Sequence, residues 1–298
     1  MPSFSKTQSK GSNVSLRCLF RRYRPAILFT WVLVVAEAVL FLLYPLLMGL
    51  SIDDLLKGEH RGLIVLSGLT LLSLLVGAGR RFYDTRIYSQ IYATISPERV
   101  EKEKQRNTSV SKITARANLM TEFVEFLENA FPEIIGSVIA LAGTLILIFV
   151  LNTQIFIGCL AVTLLIGLLY ALTSKKTWLL NSGFNNELER QVAVIAGDDR
   201  KSIALHFQKV ARWNIRLSDL ETVNFSISWL LLAGMLVFAI PVAIQSGTSA
   251  HGAILTMMMY VFNYIESVIA LPLFYQQMIR LREISHRLEQ DDDETDGR

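Results

Sequence analysis

Six stretches of this chain are almost continuously apolar: 25–50, 62–79, 133–151, 155–172, 226–244 and 253–273. Each is roughly 18–25 residues long, enough to cross a bilayer as a helix. None shows the period-two alternation of a lipid-facing barrel strand. In hydrocarbon only helices and closed barrels satisfy every backbone N–H and C=O group. The pattern therefore predicts an all-α integral membrane protein with six transmembrane helices. The segments between the spans are unequal. Those at 51–61, 152–154 and 245–252 are short, whereas 80–132 and 173–225 are long and charged.

Helical periodicity continues outside the apolar runs. Phe82, Tyr83, Ile87, Ile91 and Tyr92 keep helical spacing, which predicts that the second helix runs well past the membrane. Ser96-Pro97-Glu98 reads as a fresh helix start, with Ser as N-cap and Pro in the first turn. A short charged helix over 97–105 is expected there, broken by Asn107-Thr108-Ser109. Leu119, Phe123, Phe126, Leu127 and Ala130 form a second stripe leading into the third span. Segment 173–225 repeats the plan. Leu188, Val192 and Ile195 make one stripe, Gly197-Asp198-Asp199 a break with a cap, and Phe207, Val210, Trp213, Leu217 and Leu220 another stripe. Two helical hairpins with broken tips follow, and their apolar stripes need a partner to bury them.

Composition agrees. Hydrophobic residues make up 52% of the chain and charged residues 18%, against about a quarter charged in soluble domains. The net charge of +3 matters less than its placement. Lys6, Lys10, Arg17, Arg21, Arg22 and Arg24 crowd a leading segment without acids, and loops 152–154 and 245–252 contain no Lys or Arg. The positive-inside rule then puts both termini in the cytoplasm, with the chain integral to the plasma (inner) membrane. No nucleic-acid partner is needed to explain the basic residues. Residues 16–24 form a basic amphipathic elbow suited to the lipid headgroup layer. The first apolar run is longer than a signal-peptide core and follows a long polar segment, so it reads as a retained helix. Cys18 and Cys159 lie at different depths and make no disulfide framework. His60, His206, His251 and His286 are scattered over different segments, so no metal site is expected.

This layout resembles the transmembrane domain of a type-1 ABC exporter over nearly the whole chain. Ser111-Lys112-Ile113-Thr114-Ala115-Arg116-Ala117-Asn118 is similar to that family's Ser-Arg-x-x-x-Asp stretch, and Phe131-Pro132 to its entry into the third span. Residues 275–284 resemble the lead from the sixth span to the nucleotide-binding domain. The resemblance implies an elbow at 1–24, a transmembrane domain at 25–284 and an acidic disordered tail at 285–298. It implies coupling regions near 97–107 and 196–202, with Glu98, Arg99, Glu101, Glu103, Asp198, Asp199 and Arg200 facing an ATPase. It also implies a domain-swapped homodimer. The 298 residues contain no Gly-x-x-x-x-Gly-Lys-Ser/Thr loop and no Leu-Ser-Gly-Gly-Gln signature. The chain is therefore expected to have no ATPase activity and no cofactor of its own, with ATP and Mg reached only through a separate nucleotide-binding subunit.

Ionisable groups at lipid depth are costly and usually face a protein interior or an aqueous cavity. Glu37 lies about midway along the first span. Glu266 lies near the middle of the sixth, one turn beyond Asn263 and on the same face. These three are candidates for a substrate or proton pathway, with an interhelical hydrogen bond as the alternative. Pro45 and Pro272 are candidate hinges or static kinks. Three functions remain open. One is a permease subunit driven by an ATPase in trans, moving a small molecule or peptide by alternating access. Another is an ion-coupled transporter on the same bundle. The last is a non-transporting membrane scaffold.

Overall fold

The computed structural model describes residues 23–105, 110–197, 199–245 and 251–296, and these are helical apart from short turns. The helices are α1 (Arg24–Leu56), α2 (Arg61–Gln105), α3 (Val110–Glu125), α4 (Phe131–Leu151), α5 (Thr153–Glu189), α6 (Gln191–Ala196), α7 (Arg200–Gln245) and α8 (His251–Asp296). A π-helical turn, Phe126–Ala130, joins α3 to α4. Six segments are long and apolar enough to cross a membrane, as the sequence pattern predicts. The elbow at 16–22, Asn107-Thr108-Ser109 and Asp198 lie outside the described residues. The chain divides into two compact units, 1–143 with 270–298, and 144–269.

In the first unit α1 and α2 run antiparallel. Glu59 N–H donates to the Asp54 carbonyl at 2.8 Å, and Gly58 takes the left-handed backbone conformation at φ +79°. That conformation is the one glycine adopts at no steric cost. The Asp54 carboxylate then accepts from Gly62 N–H at 2.9 Å, tying the start of α2 to the last turns of α1. Gly62 is needed for closeness. A Cβ there would lie 2.7 Å from Ser51 Cα and 2.9 Å from Ser51 N, both backbone atoms.

At the other end of α2, Tyr88, Ile91 and Ile95 pack against Met120, Phe123 and Val124 of α3 and Phe126 and Leu127 of the π turn. The sequence stripe holds in part: Ile91 is buried and Ile87 packs against this core, whereas Phe82 and Tyr92 are exposed and Tyr88 and Ile95 join the buried face. Helix α2 also passes straight through Pro97, against the expected restart. Ser96 Oγ is buried without a hydrogen-bond partner, so it does not cap a new helix. The π turn precedes Pro132, with Phe131 N–H donating to the Phe126 carbonyl five residues back. Pro132 brings no N–H to the ladder, and widening one turn ahead of it moves the register past that gap. Helix α8 continues to Asp296, so the backbone is helical through the acidic segment expected to be disordered.

In the second unit α5 packs on α7. Asn152 separates α4 from α5 in a single residue, its side chain accepting from Gln154 N–H and Ile155 N–H at 2.9 and 3.0 Å. Gly183 lies under the Trp213 ring, where a Cβ would sit 2.8 Å from the indole. Asn224 donates to Thr173 Oγ1 at 3.1 Å. Tyr264 of α8 donates to the Cys159 carbonyl at 2.7 Å and meets Thr163 Oγ1 at 2.8 Å. The buried face of α7 holds His206 where the periodicity placed Phe207, which is exposed. His206 Nδ1 lies 3.1 Å from Glu187 Oε1 of α5.

Gly62→Ala should lower the thermal unfolding midpoint of the purified chain, by the equivalent of about 1–3 kcal/mol, because backbone atoms of Ser51 cannot yield as a side chain would. Gly68, with open space around it, is the control: Gly68→Ala should leave the midpoint unchanged or raise it.

Candidate functional site

Helices α1 and α2 carry a charged cluster on their facing sides. Thr30 and Glu37 are seven residues apart on α1, and Arg80 and Asp84 are four apart on α2, so each pair shares one face. Arg80 Nε donates to Glu37 Oε2 at 2.5 Å, and Arg80 Nη1 donates to Asp84 Oδ2 at 3.1 Å. Thr30 Oγ1 donates to Asp84 Oδ1 at 2.9 Å. Gly77 makes room for this arrangement: a Cβ there would come within 2.9 Å of Glu37 Oε1. The side chain of Asp84 is 3% exposed and that of Glu37 33%.

The depth of the cluster follows from helix rise. Glu37 and Arg80 each lie about 28 Å from the 57–60 turn at 1.5 Å per residue. A hydrocarbon core is about 30 Å thick. The cluster thus sits at the end of the apolar run 62–79 that is remote from the turn. On α1 the same level falls midway along the apolar run 25–50, where Glu37 was expected. Sequence reasoning missed Arg80 and Asp84 by assigning residue 80 onward to a charged extramembrane segment. The available signal was the i,i+4 spacing of Arg80 and Asp84 at the register where an antiparallel α1 would bring Glu37.

The other candidates are not brought together with Glu37. Glu266 is exposed on α8 and has no hydrogen-bond or ion-pair partner among the described residues, and Asn263 is half-buried. Glu98 and Glu101 are exposed on the last turns of α2, and Arg99 and Glu103 have side chains outside the described set. In the second hairpin α6 is a single short helix between breaks at Arg190 and Gly197, with no buried residue. Val192 is 79% and Ile195 50% exposed, so the predicted stripe is present but uncovered. Asp199 caps α7, accepting from Lys201 N–H, Ser202 N–H and Ser202 Oγ, the last at 2.6 Å. These hydrogen bonds, Ser202 Oγ foremost, hold the Asp199 carboxyl below the usual carboxylate range. Arg200 follows it, exposed, at the first position of α7. No group of three or more metal-ligating side chains occurs among the described residues.

Removing one partner of an enclosed ion pair leaves an uncompensated charge, which costs about 3–5 kcal/mol. Arg80→Gln should therefore destabilise the chain strongly, whereas Glu37→Gln should cost less because Arg80 keeps Asp84. The double variant Glu37→Gln/Arg80→Gln should be more stable than Arg80→Gln alone. Unfolding curves of the four proteins check this, and simple additivity would contradict it.

A family model described as ABC transporter transmembrane region matches residues 16–253, which covers all of α1 to α7 and the first residues of α8. No curated protein matches the chain. With a match over most of its length, and with six membrane-length apolar helices, the chain belongs to the ABC transporter transmembrane-region family.

Proposed function

We propose that this chain is the membrane subunit of a transporter that moves a small solute by alternating access, with ATP hydrolysis supplied from outside these 298 residues. The observation that carries the reading is the tip of the second hairpin. Helix α6 presents Val192 and Ile195 to solvent between two breaks, beside the capped start of α7 at Asp199 and Arg200. An apolar patch on a helix that serves no interior of its own unit supports a docked partner. The exposed acids Glu98 and Glu101 at the end of α2 give a second contact region, continued by Arg99 and Glu103 in sequence. The partner is a nucleotide-binding subunit, and the transporter is a homodimer in the inner membrane with both termini cytoplasmic. ATP and Mg belong to that subunit.

A second reading, coupling to an ion gradient, is favoured by one observation. Glu266 is exposed on an otherwise apolar stretch of α8, without a compensating charge among the described residues. A carboxylate in that position avoids lipid and faces water or a second subunit. On either reading the pathway is lined by Glu266 and Asn263, and a cationic or amphipathic solute fits it best.

Affinity purification from the native membrane, followed by mass spectrometry, separates the two. A stoichiometric nucleotide-binding subunit, lost on Glu101→Lys/Glu103→Lys or on Val192→Ser/Ile195→Ser, is the expected result. A homodimer with no ATPase would overturn the first reading and favour the gradient. Glu266→Gln should weaken cationic solute uptake or efflux about tenfold or more, the size of one lost charge-assisted hydrogen bond, with unchanged stability. Unaltered transport would remove Glu266 from the pathway.

A further inference from the structure

The cluster between α1 and α2 has two carboxyl groups and one guanidinium within hydrogen-bond reach. Arginine does not give up its proton in proteins. With both carboxyls ionised, the cluster carries one surplus negative charge, midway along the apolar run of α1 and at the end of that of α2. Among the described residues, the neighbouring groups supply no second cation. From α1 come Glu37 and Thr30. From α2, besides Arg80, come Tyr83 and Tyr88, whose phenols are neutral at physiological pH. From the π turn comes Glu128, an additional acid, which accepts from Thr85 Oγ1 at 2.9 Å.

The two carboxyls are not equivalent. Glu37 has the short contact to Arg80 Nε and keeps a third of its side chain open to solvent. Asp84 has the longer contact to Arg80 and a neutral hydroxyl, and it is the one carboxyl group among the buried residues described. We propose that Asp84 is a proton-binding site, holding one proton on Oδ1 at neutral pH. Taking up the proton changes no heavy-atom position. Thr30 Oγ1 lies 2.9 Å from Asp84 Oδ1, and a hydroxyl serves equally as donor or acceptor. In the charged state Thr30 donates to the carboxylate. In the neutral state the Asp84 O–H donates to Thr30, whose own hydrogen turns to a backbone carbonyl of its helix. Arg80 then balances Glu37 alone. The inference rests on the charges of α1 and α2 and is independent of the energy source proposed above.

Infrared spectroscopy of the purified full chain in nanodiscs of zwitterionic lipid tests it, using protein labelled with carboxyl-¹³C aspartate. At neutral pH a protonated-carboxyl stretch should appear, move with the label, and vanish in Asp84→Asn. It should vanish also in Glu37→Gln, because that variant removes the surplus charge and leaves Arg80 to an ionised Asp84. A merely structural role would leave no label-sensitive band. Absence of that band at neutral pH overturns the proposal. So does a band seen only when sodium is withheld, since the surplus charge is then matched by a metal cation. If Asp84→Asn fails to fold, the labelled wild-type chain and Glu37→Gln decide between the same outcomes.

Discussion

Once helices lie in lipid, the hydrophobic effect no longer draws them together, and association depends on close packing and polar contacts between them. That constraint accounts for the arrangement within each unit. Where helices meet, the chain supplies either a glycine or a hydrogen bond. Gly62 lets α2 approach the α1 backbone at Ser51, and Gly143 receives the Leu42 side chain. Between these points stand Asn224 on Thr173, Tyr264 on Cys159 and Thr163, and the Glu37–Arg80–Asp84–Thr30 cluster. The apolar residues between the contacts are largely exposed in a single chain, as lipid-facing surface should be.

Beyond the apolar runs the opposite rule applies, and the two hairpins meet it differently. The first builds a core of its own from Tyr88, Ile91, Ile95, Met120 and Phe123. The second has a thinner interior, centred on His206 with Glu187 and on Trp213 with Gly183, and leaves the α6 tip uncovered. The second hairpin thus leaves an apolar tip exposed, whereas the first closes on a core that reaches the helix entering the apolar run. The π turn at Phe126–Ala130 lies at that junction in the first hairpin, and it is the one place in the described chain where the helix ladder widens.

The fold was legible because apolar runs of membrane length are an unambiguous signal and because helical periodicity persists past them. What failed was finer. Ser96-Pro97-Glu98 has the residues of a helix start, yet tertiary packing of Ile91 and Ile95 carries α2 through it. Phe207 is more apolar than His206, yet Glu187 offers His206 a hydrogen bond, which phenylalanine cannot use; that one position shifts, while Val210, Trp213, Leu217 and Leu220 keep the predicted face. The candidate site was half legible. Glu37 stood out because a lone acid in an apolar run must be compensated. Arg80 did not, since a charged residue at the border of a charged segment looks like part of it, and only the antiparallel register of α1 and α2 reveals which acid it serves.

That register also fixes what the cluster can do. An arginine opposite one acid is a fastener; an arginine opposite two is a fastener with an unfilled charge. Among the described residues no second fixed cation matches both acids: Arg80 serves the two alone. A proton on the more enclosed acid, as proposed, gives the charge balance that a second cation would. The placement of Asp84 behind Thr30, with Glu37 on the more open side, gives the two acids different parts. The open one makes the shorter contact with Arg80, and the enclosed one is the acid that the proposed proton would occupy.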